Sequence, residues 1–217
     1  MLKMIKCKNR KDWLEHRGKR IGGSDAAAII GLNPWRTNVE LWEIKTGRKE
    51  QEDISQEPFV LYGTQAEKHL RELFKLDYPC YRVDYVEDNL WLNDLYPYAH
   101  ASLDSWLTDE AGRKGVLEIK TTNIQNHAMG EKWKDRVPDN YYVQLLHYMA
   151  VMEADFAILK AQLKYDYAGE EIFAMTKHYK VERADVQDDI EYLMQAEKEF
   201  AEYMADDTPP PLILPTI

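Results

Sequence analysis

The sequence has only two cysteines, Cys7 and Cys80, far apart along the chain. That number excludes a disulfide framework, a four-cysteine zinc site and a cysteine-ligated iron–sulfur cluster. At most one disulfide remains, and reduced thiols suit a cytoplasmic chain. Any catalytic metal must then rest mainly on oxygen ligands, which favours magnesium, with manganese as the alternative. Long apolar runs are missing too. No stretch approaches the roughly 18–20 residues that span a bilayer, and the basic segment 1–10 lacks the apolar run of a secretory signal. A cytoplasmic protein with no membrane partner is expected. Positive charge is scarce overall: 28 Lys and Arg face 38 Asp and Glu, a net charge of −10. A general nucleic-acid binder is usually basic, so any such role needs a local groove. The charge is uneven enough to allow one. Residues 1–20 hold eight Lys and Arg against two acids, whereas 182–207 hold two against ten.

What is present reads as an ordinary globular chain of 217 residues, enough for one domain with a sizeable core. A first helix is predicted over 11–19. Gly22-Gly23 breaks the chain, and Ser24 is expected to cap a short helix over 25–30, ended by Gly31 and Pro34. Thr37-Asn38-Val39-Glu40 reads as a capping box for a helix that stops at Gly47. A polar loop covers 49–57. Pro58 opens a helix to about Leu76, with Phe59, Tyr62, Ala66, Leu70, Leu73 and Phe74 in helical period. Strands follow over 81–87, 90–92, 99–107 and 115–121, the last two joined as a hairpin by Asp109-Glu110-Ala111-Gly112. Pro138 and Asp139 start a helix of about fourteen residues. A second strand pair is predicted over 156–165 and 171–181 around Ala168-Gly169. An acidic amphipathic helix over 183–205 and a Pro-rich tail over 208–217 close the chain. The order predicts a mixed α/β core, a central mixed sheet flanked by helices, within one domain over 1–207.

The sharpest local feature is Gly115-Val116-Leu117-Glu118-Ile119-Lys120-Thr121. Strand side chains alternate, so Glu118 and Lys120 share one face and Ile119 points to the core. The hairpin brings Asp104 near Glu118. Two carboxylates repel unless a cation lies between them. A divalent metal there can polarise a phosphodiester and lower the pKa of a bound water. Lys120 can orient that water, help deprotonate it, or stabilise developing negative charge. An acid and a lysine two apart on a strand are, by themselves, more often a solvated ion pair of little worth.

Two helices offer support. Glu67, in Tyr62-Gly63-Thr64-Gln65-Ala66-Glu67, lies a turn after Gly63, whose cost in a helix suggests a close approach. It also reads as a surface acid beside Lys68 and Arg71. Tyr141, Gln144 and Tyr148 share one face, suited to a phosphate or a metal-bound water, or to simple half-burial. His147 lies off that stripe and reads as structural. Ser24 at a helix start, with Arg17 or Arg20 as a clamp, is a candidate anion site.

In order and spacing these pieces resemble the YqaJ-type viral recombinase nucleases, relatives of phage lambda exonuclease in the PD-(D/E)XK superfamily. The resemblance runs over about 13–154. It is carried by the segment from Arg17 to Gly31, Tyr62-Gly63-Thr64-Gln65-Ala66-Glu67, Leu103-Asp104 with Leu117-Glu118-Ile119-Lys120, and Tyr142-Val143-Gln144-Leu145-Leu146-His147-Tyr148. It implies a restriction-endonuclease-like core. It further implies that Asp104, Glu118 and the Ile119 carbonyl bind magnesium, that Lys120 is catalytic, and that Glu67 positions it and the water. Gln144 would sit beside the reacting phosphate, with Tyr148 near the DNA, while Arg17 and Ser24 hold the 5′-phosphate. The implied activity digests one strand of linear double-stranded DNA from its end. This leaves a 3′ single strand for a single-strand-annealing recombination protein. A homotrimer and a phage or prophage origin are implied as well. Leu103 replaces the proline that names the superfamily. An endonuclease on the same centre, or a DNA-binding module without catalysis, are the competing expectations. A third treats the helix over 183–205 as a docking surface for a partner protein.

Overall fold

The computed structural model describes residues 1–165 and 173–215. Its centre is a five-stranded mixed sheet, order β3-β6-β7-β8-β9. The strands are β3 (Arg82–Asp84), β6 (Ser105–Thr108), β7 (Lys114–Ile124), β8 (Phe156–Tyr165) and β9 (Phe173–Glu182). β7 and β8 run parallel in the middle; the other neighbours are antiparallel. Residues 115–119 of β7 and 156–161 of β8 are buried because both faces are covered, although Glu118 and Lys160 are charged. On one face, α4 (Pro58–Asp77) packs Leu70 and Phe74 against Leu107, Leu117, Ile119, Phe156 and Ile158. On the other, α6 (Asp139–Met152) and α2 (Gly23–Ile29) share a core with Val116, Ala157 and Leu159. That core also takes Ile190, Leu193 and Met194 of α7 (Gln187–Ala205), the acidic helix. The predicted mixed α/β architecture is what folds.

The remaining elements surround this core. Helix α1 (Arg10–Gly18) leads into β2 (Ile21–Gly22), which pairs in parallel with β5 (Ala99–His100). β1 (Leu2–Ile5) pairs with β4 (Leu90–Asn93). α3 (Asn38–Lys45) and α5 (His127–Glu131) complete the set.

Several expectations are corrected. The strand predicted over 99–107 breaks into β5 and β6, because the segment between them turns to deliver Asp104 to the hairpin mouth. The strand over 81–87 shortens to β3. Ser24 does not cap α2: Gly22 does, and the Asp25 carboxylate accepts from the Gly22 N–H at 3.0 Å. β1 and α5 were not anticipated; one depends on a distant partner, the other is too short for a period. The Thr37 N-cap, the start of α4 at Pro58 and the fourteen residues of α6 form as predicted, but the reciprocal half of the capping box does not, since the Glu40 carboxylate pairs with Lys49. The turn at Ala168-Gly169 lies outside the described residues. The end of the chain is not a free tail over its described part. Asn38, at the start of α3, donates to the Pro211 carbonyl at 2.7 Å and accepts from the Ile213 N–H at 3.0 Å. Both cysteines are free thiols, and among the described residues no helix is long and apolar enough to cross a membrane.

The acidic helix is anchored by one fully buried pair. His147 Nδ1 lies 2.7 Å from Glu197 Oε1, and Nε2 lies 2.8 Å from the His100 carbonyl. A carbonyl only accepts, so Nε2 carries a proton. Burial opposes a second proton on the ring, but the Glu197 carboxylate outweighs it and the His147 pKa is raised. The imidazolium thus contributes stability in full below its unfolded value of 6.5, and this is lost as pH rises through the folded value. Glu197→Gln should therefore cost most stability near pH 6, with the difference from wild type shrinking as pH rises. Urea unfolding across that range measures it; a difference independent of pH contradicts the charged pair.

Candidate active site

The β6–β7 register pairs Ser105 with Leu117, which sets Asp104 opposite Glu118 where the two strands part. Asp104 Oδ2 accepts from the Ile119 N–H at 2.7 Å. In a strand, the N–H and C=O of one residue leave on the same side. The Ile119 carbonyl therefore faces the same edge as Asp104. Glu118 and Lys120 project from the opposite face to Ile119, and Lys120 Nζ lies 2.7 Å from Glu118 Oε1. Gln144 Nε2 donates to the same oxygen at 2.8 Å and also reaches the Tyr148 hydroxyl at 3.1 Å. The Lys120 ammonium stands 5.3 Å from the Tyr141 ring centroid. The three strand residues, Gln144 and both tyrosines are thus brought together.

Electrostatics then show an excess of buried negative charge. Glu118 is 3% exposed, and its Oε2 has no hydrogen-bond partner. Burial and the Asp104 carboxylate push the Glu118 carboxyl up to about 8, against the opposing pull of Lys120. Burial raises Asp104 too, in spite of Lys120 and the Ile119 N–H. Glu67 is raised to about 7 by burial and by Asp104, which places it within electrostatic reach of the pair. Burial works against the Lys120 ammonium, but Glu118 and Asp104 outweigh it and hold its pKa above the ordinary lysine value. Two converging acids and one orphaned carboxylate oxygen are what a divalent cation would resolve, although among the described residues no three His, Cys, Asp or Glu side chains are grouped to hold one. Asp104, Glu118 and the Ile119 carbonyl offer only oxygen donors, whose chemistry fits magnesium or manganese.

Neighbouring elements hold this group in place. Gly63 lets α4 approach β7: a Cβ there would come within 3.2 Å of Thr121 Oγ1. Gly23 lets α2 lie on α6, since a Cβ would meet the Tyr148 ring at 2.6 Å. Tyr148 is consequently buried at 5% exposure. There it lies under Gly23 and accepts from the Gln144 amide. Ser24 is exposed in the first turn of α2. Arg17 stacks on the Trp13 ring at 4.2 Å, and its charge is felt by both Tyr148 and His100. Lys45 ties this corner together, donating to the Arg17 and Arg20 carbonyls at 3.3 and 2.7 Å and pairing with Asp25 at 2.7 Å.

Two residues here escaped the sequence reading. Asn89 accepts from the Leu103 N–H and donates to the Leu103 carbonyl, both at 2.8 Å. Its amide imitates a strand partner for the residue just before Asp104. Leu103 supplies an N–H that a proline would lack, so leucine has a structural use at this position. Arg71, one turn beyond Glu67, pairs with the Glu67 carboxylate. Its i,i+4 spacing was the available signal, but the same spacing describes any exposed helix pair.

Residues 12–155 match the YqaJ-like viral recombinase domain. This chain belongs to the YqaJ-like viral recombinase family. Uncharacterized protein YqaJ of Bacillus subtilis (strain 168) is 33% identical over 157 residues, covering 70% of this chain and 46% of that protein. The chain therefore spans about half the length of the curated relative it matches. The alkaline exonuclease LHK-Exo of Laribacter hongkongensis has a similar structure, with TM-score 0.60 at 17% identity, covering 90% of this chain and 95% of that one. A phage related exonuclease from Haemophilus somnus 129PT gives TM-score 0.52 at 11% identity, covering 87% and 96%. These likenesses establish the fold of the YqaJ-like domain.

The raised carboxyls give a direct test of the metal fit. A cation on Glu118 must displace the proton that Glu118 holds below about pH 8. Magnesium affinity should rise roughly tenfold per pH unit below that value and then level off. Calorimetry in buffers of differing ionisation enthalpy should show about one proton released per ion at pH 7. Affinity that stays flat from pH 6 to pH 9 contradicts a site built on Glu118.

Proposed function

We propose that this YqaJ-like domain is a magnesium-dependent exonuclease that digests one strand of linear double-stranded DNA, 5′ to 3′, and leaves a 3′ single strand. One observation carries the reading. Asp104 and Glu118 converge from adjacent strands with Lys120 on Glu118 Oε1, and Glu118 Oε2 is buried without a partner. Bound at Asp104, Glu118 and the Ile119 carbonyl, magnesium supplies a polarised phosphodiester and a water of lowered pKa.

The chain's own side chains do the rest. Lys120 stays cationic between Glu118 and Asp104, so it donates to the phosphate oxygen where negative charge builds up. Glu67, held near pKa 7 and 29% exposed at its side chain, is matched to accept the attacking water's proton at neutral pH. Gln144 fixes the Glu118 carboxylate and lies beside the reacting phosphate. Arg17, with Ser24, holds the terminal 5′-phosphate at the corner braced by Lys45. That phosphate pocket supports attack from a 5′ end. A homotrimer around the DNA and delivery of the 3′ strand to an annealing protein complete the proposal.

Lys120→Ala and Asp104→Ala should each cut magnesium-dependent nucleotide release from linear duplex at least about 100-fold with folding retained. Closed circular DNA should stay intact, and a 5′ label should be released before a 3′ label. Cleavage retained in both variants removes the proposed centre, and cut circles favour the endonuclease. Arg17→Ala should erase the preference for phosphorylated ends; a preference that persists places the phosphate elsewhere.

A further inference from the structure

Among the described residues, Arg71 is a buried cation beside the site that the mechanism leaves without a task. It lies on α4, one turn past Glu67, with its side chain 6% exposed. An ordinary i,i+4 pair lies in solvent and contributes little. Arg71 is held on three sides instead. Nη2 donates to Glu67 Oε1, Nε donates to the Asp104 main-chain carbonyl at 3.0 Å, and the guanidinium lies 3.5 Å from the Tyr85 ring centroid.

From these contacts we infer that Arg71 is a positioning residue of the catalytic centre, a clamp that sets Glu67 on α4 against the Asp104 peptide of the sheet. The inference rests on the nuclease reading above. Asp104 and Glu67 lie 37 positions apart along the chain, and Arg71 bonds to both. The Asp104 carboxylate is fixed at its tip by the Ile119 N–H. Arg71 fixes it at its root, because the carbonyl it holds is on the same residue. A planar fork meets these two acceptors from two nitrogens while its face rests on Tyr85. Lysine, a single point charge, cannot hold both and stack as well. Partners of this kind around a metal-binding carboxylate are worth about 10- to 100-fold in affinity or activity.

Arg71→Lys keeps charge and stem but loses the fork. Arg71→Ala leaves a hole that fits methylguanidinium. We expect Arg71→Lys to fold like wild type and to lose about 10- to 100-fold in kcat on linear duplex. KM for DNA ends should stay within about threefold. Magnesium binding, measured by calorimetry without DNA, should weaken in parallel. Methylguanidinium should restore kcat to Arg71→Ala and leave Lys120→Ala inactive. Arg71→Lys with kcat and magnesium affinity within about twofold of wild type overturns the clamp. So does an Arg71→Ala loss that methylguanidinium leaves unchanged. Wild-type protein that binds magnesium but cleaves no DNA would end the nuclease reading, and the calorimetric comparison would still decide the clamp.

Discussion

The structure turns on one buried carboxylate. Glu118 sits at 3% exposure, shares Oε1 between the Lys120 ammonium and the Gln144 amide, and leaves Oε2 unpaired. Moving an ion out of water costs several kcal/mol even after the protein relaxes. One lysine and one amide offset only part of that cost while Asp104 adds repulsion. The raised Glu118, Asp104 and Glu67 pKa values all express the same shortage of positive charge. A divalent cation among these oxygen donors is the proposed remedy for that shortage.

The elements around the sheet make sense as a means of holding that group rigidly. The parallel β7–β8 pair is buried around Glu118 and holds its backbone in the middle of the sheet. Helix α6 brings Gln144 and Tyr148 down on one side, and the buried His147–Glu197 pair fastens α6 to α7 behind them. On the other side α4 brings Glu67, with Arg71 bridging to Asp104 and Asn89 bracing Leu103 just before it. α2 closes the remaining corner through Gly23. The acidic α7 is part of the support: its buried apolar face and Glu197 belong to the core.

Much of this was legible in the chain, and the exceptions share a cause. The hairpin with Asp104, Glu118 and Lys120 could be read because a period of two and a four-residue turn are local signals. The start of α6 followed from Pro138 and Asp139, and the limits of α3 from Thr37 and Gly47. What escaped depends on partners distant in sequence. β1 exists because β4 lies beside it, and Asn89 acts on a residue 14 positions away. Arg71 and Glu197 looked like solvated charges because spacing carries no information about burial. At α2 the local rule itself misled: Ser24 is a good cap, but the Asp25 carboxylate, held by Lys45, takes the Gly22 N–H and moves the helix start back. The burial of Tyr148 likewise depends on Gly23, distant in sequence, which lies on its ring.

The most direct measurement is a crystal structure with manganese, located by its anomalous scattering. The predicted result is an ion at roughly 2.0–2.2 Å from Asp104, from Glu118 Oε2 and from the Ile119 carbonyl. An ion bound elsewhere, with Glu118 Oε2 still unpaired, would contradict the reading of that carboxylate as the seat of the metal.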